Sequence, residues 1–99
     1  FKLNTVLTQM IRIISAIKAA RSALGWSQPE LARRSGVSVV TIARAESGAI
    51  SPRISTLLAL QKSIEDAGVV IQDNLPINGY TLIIKPEAIG VSNTNSLRD

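Results

Sequence analysis

Ninety-nine residues, 45% of them hydrophobic, suffice for one modest core and not for two independent ones. The chain has neither cysteine nor histidine, which removes disulfides, thiolate metal sites and the commonest metal ligand and general base; catalysis would have to rest on seven scattered carboxylates with no convergent pair, so no catalytic residue, metal or cofactor is expected. The formal charge is +4, and the whole excess lies between Lys18 and Arg53, where Lys18, Arg21, Arg33, Arg34, Arg44 and Arg53 face only Glu30 and Glu46. Such a concentration suits a polyanion, because neutralising phosphates releases counterions.

From the amino terminus, Leu3, Val6, Leu7, Met10, Ile13, Ile14, Ile17, Ala20 and Leu24 recur at threes and fours and predict one continuous helix, with Asn4 or Thr5 as its cap. Along residues 1–12 this apolar stripe needs a cover, either the body of the same chain or a second copy. Lys2 and Arg12 are the only cations there, too few for a membrane-surface helix, and no apolar run reaches membrane-spanning length. With no secretory signal to read, a cytoplasmic location is expected. Gly25-Trp26 links onward, and the tryptophan is expected to cap the apolar core rather than stack on a base.

The segment SQPELARRSGVSVVTIARAESG, Ser27 to Gly48, reads as two short helices joined by a tight turn. Ser27 and Glu30 have the spacing of a capping box, in which the serine oxygen takes an amide and the glutamate reaches back. Pro29 is tolerated in the first turn, where amides lack intrahelical partners. Leu31 and Ala32 face inward, and Gly36 is free to adopt the positive φ that stops a helix. Val37 is a buried link, Ser38 caps a second helix running through Glu46, and Ser47-Gly48 closes it. Bulk at Ala32 would force the two helices apart.

Beyond the loop 49–53, Ser51-Pro52 is expected to start another helix, with proline at its first position. Its apolar pattern is Ile54, Leu57, Leu58, Leu60 and Ile64, and Gly68 ends it. The period then changes. Val69 to Gln72 and Tyr80 to Lys85 predict a β-hairpin or two short strands around the turn residues 73–79. Two strands alone are marginal, so they should lean on a helix or join the strands of another subunit. Pro86 stops the second strand, and residues 90–99 are polar and expected to fray.

The small, glycine and apolar positions Leu31, Ala32, Gly36, Val37, Ile42 and Ala45 together resemble those of the helix-turn-helix of the phage repressor and Cro class, the xenobiotic-response-element family of bacterial and phage regulators. The resemblance extends from about Ile13 to Gly68. It implies a mainly α fold: a four- to five-helix repressor-like domain with an extended N-terminal helix and the C-terminal strands. Residues 1–12 are then a helical extension continuous with helix one, 13–68 the helix-turn-helix domain, 69–86 a strand tail and possible dimerisation element, and 87–99 a flexible tail.

The resemblance further implies double-stranded DNA as partner, with the second helix of the hairpin in the major groove. Its base-facing positions are Val39, Val40, Ala43 and Arg44. Arg44 can donate twice to guanine, and the valines can offer only methyl groups to thymine methyls; either valine could instead belong to the core. Backbone contacts by family position come from Ser27, Gln28, Thr41, Ser47 and Arg53, while Arg33 and Arg34 give general electrostatic help. Arg21 and Glu46 stand where the class has a structural ion pair. The implied function is sequence-specific transcriptional regulation, as a repressor bound to an inverted repeat as a homodimer. The extension helix and the strands are both candidate interfaces. An antitoxin-type autoregulator with a protein partner at the strands is a variant. An interaction module without DNA binding is the rival, motivated by the apolar Val39, Val40 and Ala43.

Overall fold

The computed structural model describes residues 2–73 and 79–89, with side chains for 13–72 and 79–88. Four helices, α1 (Lys2–Ala23), α2 (Gln28–Ser35), α3 (Val39–Ser47) and α4 (Ile54–Asp66), precede strands β1 (Val69–Asp73) and β2 (Tyr80–Ile84) and a 3-10 turn, Pro86–Ile89. The fold is mainly α with an antiparallel hairpin at its end. The polar tail 90–99, the turn residues 74–78 and the side chains of the stripe from Leu3 to Met10 lie outside the described residues.

α1 runs without a break through Asn4 and Thr5, so neither residue caps it: the helix begins upstream of both. Its Ile14, Ile17 and Ala20 are buried. They meet Leu31 of α2, Ile42 and Ala45 of α3, and Leu57, Leu60 and Ile64 of α4 in one core. Ile13, Leu24, Trp26, Ala32 and Val37 are partly buried against it. Small residues at Ala20, Ala32 and Ala45 let the helix axes approach, since interiors pack without room for spare methylenes.

α4 departs from the sequence reading at both its start and its stripe. Leu57 donates its amide to the Arg53 carbonyl at 3.0 Å, making Arg53 the N-cap residue, with no side-chain capping bond. Pro52 therefore sits outside the helix, and it is buried rather than exposed on a first turn. Ile54 and Leu58 are not core residues: they are 69% and 59% exposed. Leu57, Leu60 and Ile64 form the buried row, and at 100° per residue Ile54 and Leu58 lie roughly 90–130° round the helix from it.

The hairpin pairs Val69 with Ile84, Ile71 with Leu82 and Asp73 with Tyr80. Because side chains alternate, one face carries the buried Val69 and Ile71 with the partly buried Leu82 and Tyr80. That face packs on α4 and α1 of the same chain. The junction is tight. Lys85 donates to the Gly68 carbonyl at 2.8 Å. Gly68 has φ +103°, and a Cβ there would stand 3.1 Å from the Ala88 Cβ. Glycine is needed at this position for both conformation and space.

Two identical truncations in α4 separate its faces. Leu60→Ala should cost about 2–5 kcal/mol in urea denaturation, whereas Leu58→Ala should stay within about 0.5 kcal/mol.

Candidate nucleic-acid interface

Both helices of the hairpin begin on a serine. Ser27 Oγ accepts the Glu30 amide at 3.1 Å, and Ser38 Oγ accepts the Thr41 amide at 3.1 Å. Only half of the anticipated capping box forms. Instead of returning to the Ser27 amide, the Glu30 carboxylate accepts hydrogen bonds from Arg33 and, at 2.7 Å, from Arg34. Two charged donors one turn ahead outcompete a neutral amide behind. These hydrogen bonds, first from Arg33 and then from Arg34, lower the exposed Glu30 carboxyl from 4.5 to about 2. Arg34 also lies over the Trp26 ring, with its guanidinium carbon 4.2 Å from the centroid.

The turn is made by Gly36, in the left-handed region at φ +78°, donating to the Ala32 carbonyl at 2.9 Å. A side chain would strain this conformation. Val37 and then Ser38 follow, and α3 leaves with Ile42 and Ala45 directed into the core. That orientation fixes the opposite face. Val39 is 39% exposed, Val40 55% exposed, Arg44 exposed and Ala43 half-buried, so neither valine is a core residue. Val40 and Arg44 are one turn apart on the same face, and Val39 and Ala43 form the adjoining row.

α3 is held in this orientation from its far end. Arg21 Nε donates to Glu46 Oε2 at 2.8 Å and Nη2 to Oε1 at 2.9 Å, a two-toothed ion pair whose side chains are 14% and 3% exposed. The third guanidinium nitrogen donates to the Trp26 carbonyl at 2.8 Å. Gln28 Nε2 completes the carboxylate's partners, donating to Oε1 at 2.9 Å. Burial pushes the Glu46 carboxyl up, but the hydrogen bonds from Arg21 and Gln28, with the charges of Arg21 and Lys18, together hold it below its ordinary 4.5. Among the described residues no buried side-chain nitrogen or oxygen lacks a partner.

The remaining residues of interest surround this frame. Ser27 and Gln28 open α2, and Ser47, exposed at the end of α3, donates to the Arg44 carbonyl at 3.0 Å. Thr41 is half-buried and its Oγ1 accepts from Ser38 Oγ at 2.8 Å. Arg53 is exposed at the α4 N-cap. Among the described residues, no ion pair or hydrogen bond engages the side chains of Arg44 or Arg53, whereas Arg21, Arg33 and Arg34 are all committed. The Gln28 bond to Glu46 and the Arg34 stack on Trp26 were not read from sequence. Glu30's spacing to Arg33 and Arg34, three and four residues, was the one available signal for the surface fork.

Residues 17–64 match the profile of the Helix-turn-helix family. This segment is a helix-turn-helix of the Cro and phage-repressor type. Members are DNA-binding regulators of transcription, typically without catalysis, and the match supports a DNA-binding regulator here. A search of curated proteins returned no match. No helix among the described residues is long and apolar enough to cross a membrane.

Replacing Arg21 by methionine leaves a buried carboxylate without its counter-charge and should cost about 3–5 kcal/mol, toward the lower end because the arginine keeps some solvent contact. In the wild type Glu46 is depressed, so its contribution is fully present above about pH 4.5 and is lost as pH falls through the folded value. In Arg21→Met the uncompensated burial raises that carboxyl, and protonation then relieves the penalty. Denaturation at about pH 5 and pH 3 should show a smaller acid loss for the variant than for the wild type.

Proposed function

We propose that the chain is a sequence-specific reader of duplex DNA that represses transcription from an inverted-repeat operator, bound as a homodimer. The observation that carries this reading is Arg44: an exposed arginine with no partner among the described residues, one turn beyond Val40, on a helix whose opposite face is locked in the core. A guanidinium so presented can donate two hydrogen bonds to guanine O6 and N7. Val39, Val40 and Ala43 beside it offer methyl contacts to thymine.

Backbone grip falls to Ser27, Gln28, Thr41, Ser47 and Arg53. Gln28 spends one amide hydrogen on Glu46 and keeps its second for a phosphate. Thr41 accepts from Ser38 and retains its own hydroxyl hydrogen to donate. Arg53 contributes charge directly, since no carboxylate among the described residues occupies it. Arg33 and Arg34 share Glu30 and so contribute less than their number suggests. One copy supplies too few base contacts for a selective site, which favours a twofold dimer with half-sites about one helical turn apart. Repression requires nothing beyond occupancy of promoter DNA.

Selection of bound duplexes from a random pool should recover a symmetric motif whose half-site contains a guanine. Arg44→Ala should weaken binding to it by about 1–3 kcal/mol and relax preference at that guanine, whereas Arg53→Ala should weaken all sequences alike and reduce the salt slope by about one. Unselective binding, or an Arg44→Ala protein with undiminished preference, sinks the proposal.

A further inference from the structure

The first turn of α3 brings to the groove two exposed valines and very little else. Val39 and Val40 keep 39% and 55% of their surface in solvent. The two hydroxyls of that turn are bonded to each other, Ser38 Oγ donating to Thr41 Oγ1 at 2.8 Å. Ser38 Oγ also accepts the Thr41 amide. Thr41 lies about 100° round the helix from Val40, at the margin of the exposed face, and Ser38 precedes the helix as its cap. No amide or carboxylate side chain belongs to this turn, and its one uncommitted hydroxyl hydrogen, on Thr41, is the one assigned above to a phosphate. On the floor of the major groove the one apolar group a valine can match is the methyl on C5 of a pyrimidine.

We propose that this face recognises a C5-methyl group close to a guanine, and that it accepts 5-methylcytosine in place of thymine while binding unmethylated cytosine and uracil more weakly. The inference rests on the reading of α3 as the groove-facing helix and names the chemistry it selects. Val40 and Arg44 are separated by about 6 Å along the helix axis. Base pairs stack about 3.4 Å apart, so the methyl and the guanine fall within two base steps of each other. A TpG step meets this requirement. Methylated CpG presents the same methyl and the same guanine in the same places. The two steps differ in O4 against N4 on the pyrimidine and in the major-groove edge of its paired purine, which only a polar side chain can distinguish. The polar side chain on this face that could do so, Arg44, is occupied with the guanine. Cytosine methylation would thus convert a CpG that lacks the methyl contact into the equivalent of a TpG site.

The test uses the full chain and the duplex recovered by selection, prepared with thymine, uracil, 5-methylcytosine or cytosine at the pyrimidine nearest the Arg44 guanine, and titrated by fluorescence anisotropy at one salt concentration. Burying one methyl corresponds to about fourfold in affinity. Thymine and 5-methylcytosine should agree within about twofold, and uracil and cytosine should bind about fourfold more weakly or worse. The double variant Val39→Ala with Val40→Ala should erase the difference between thymine and uracil. Arg44→Ala should weaken all four duplexes while preserving that difference. Equal binding of thymine and uracil, 5-methylcytosine behaving as cytosine, or a recovered motif with no thymine within two base pairs of its guanine overturns the inference. In those cases a loss of affinity in Arg44→Ala still upholds the groove reading, whereas failure to recover any motif overturns both.

Discussion

The ion pair between Arg21 and Glu46 is the constraint on which the rest of the molecule turns. Glu46 sits in the last turn of α3, where the partial negative charge of the helix end opposes a carboxylate, and its side chain is almost fully withdrawn from water. Both effects disfavour the charge. A guanidinium delivering two parallel hydrogen bonds, with Gln28 adding a third, outweighs them, and the depressed carboxyl follows from that balance. The same guanidinium holds the Trp26 carbonyl, so one side chain at the end of α1 fixes the link to α2, the start of α2 through Gln28, and the rotation of α3 about its own axis. Side chains on the outer face of α3 inherit their aim from this buried anchor.

Charge is distributed by the same logic of commitment. The basic segment from Lys18 to Arg53 holds the entire formal excess, but its arginines are not equivalent. Arg21 is internal to the fold, and Arg33 and Arg34 close on Glu30, with Arg34 also covering Trp26. Arg44 and Arg53, lacking such partners among the described residues, keep their donors pointed at solvent. Formal charge therefore locates the surface, and only the pairing pattern says which cations stay available to a phosphate or a base.

Features set by local chemistry were readable in the chain. Serine before each hairpin helix, glycine after each, and the change to branched residues at Val69 and Tyr80 depend on a few neighbouring residues, and the backbone follows them. Features decided by competition were not. Glu30 had an amide behind it and two arginines ahead, and spacing alone does not rank a neutral donor against charged ones. At Ile54 and Leu58 apolar residues occupy helical spacing, yet the core reaches only the row of Leu57, Leu60 and Ile64, because the direction of a helix face is set by its neighbours. Pro52 satisfied a common rule for helix starts but lies buried ahead of the helix, leaving Arg53 as the boundary. The contact from Gln28 to Glu46 spans two elements and carries no periodic signature.

α2 has eight residues and α3 nine, each bounded by a left-handed glycine. Helices of that length are barely populated in water on their own, since nucleation is costly and too few hydrogen bonds follow. The surface that α3 turns outward thus exists only while the hydrophobic interior beneath it is assembled; a peptide cut from the hairpin would be mostly coil. Thermodynamic linkage makes the relation reciprocal: whatever grips that surface in the native state, and not in the unfolded chain, shifts thermal melting upward in proportion to the logarithm of its free concentration over its dissociation constant.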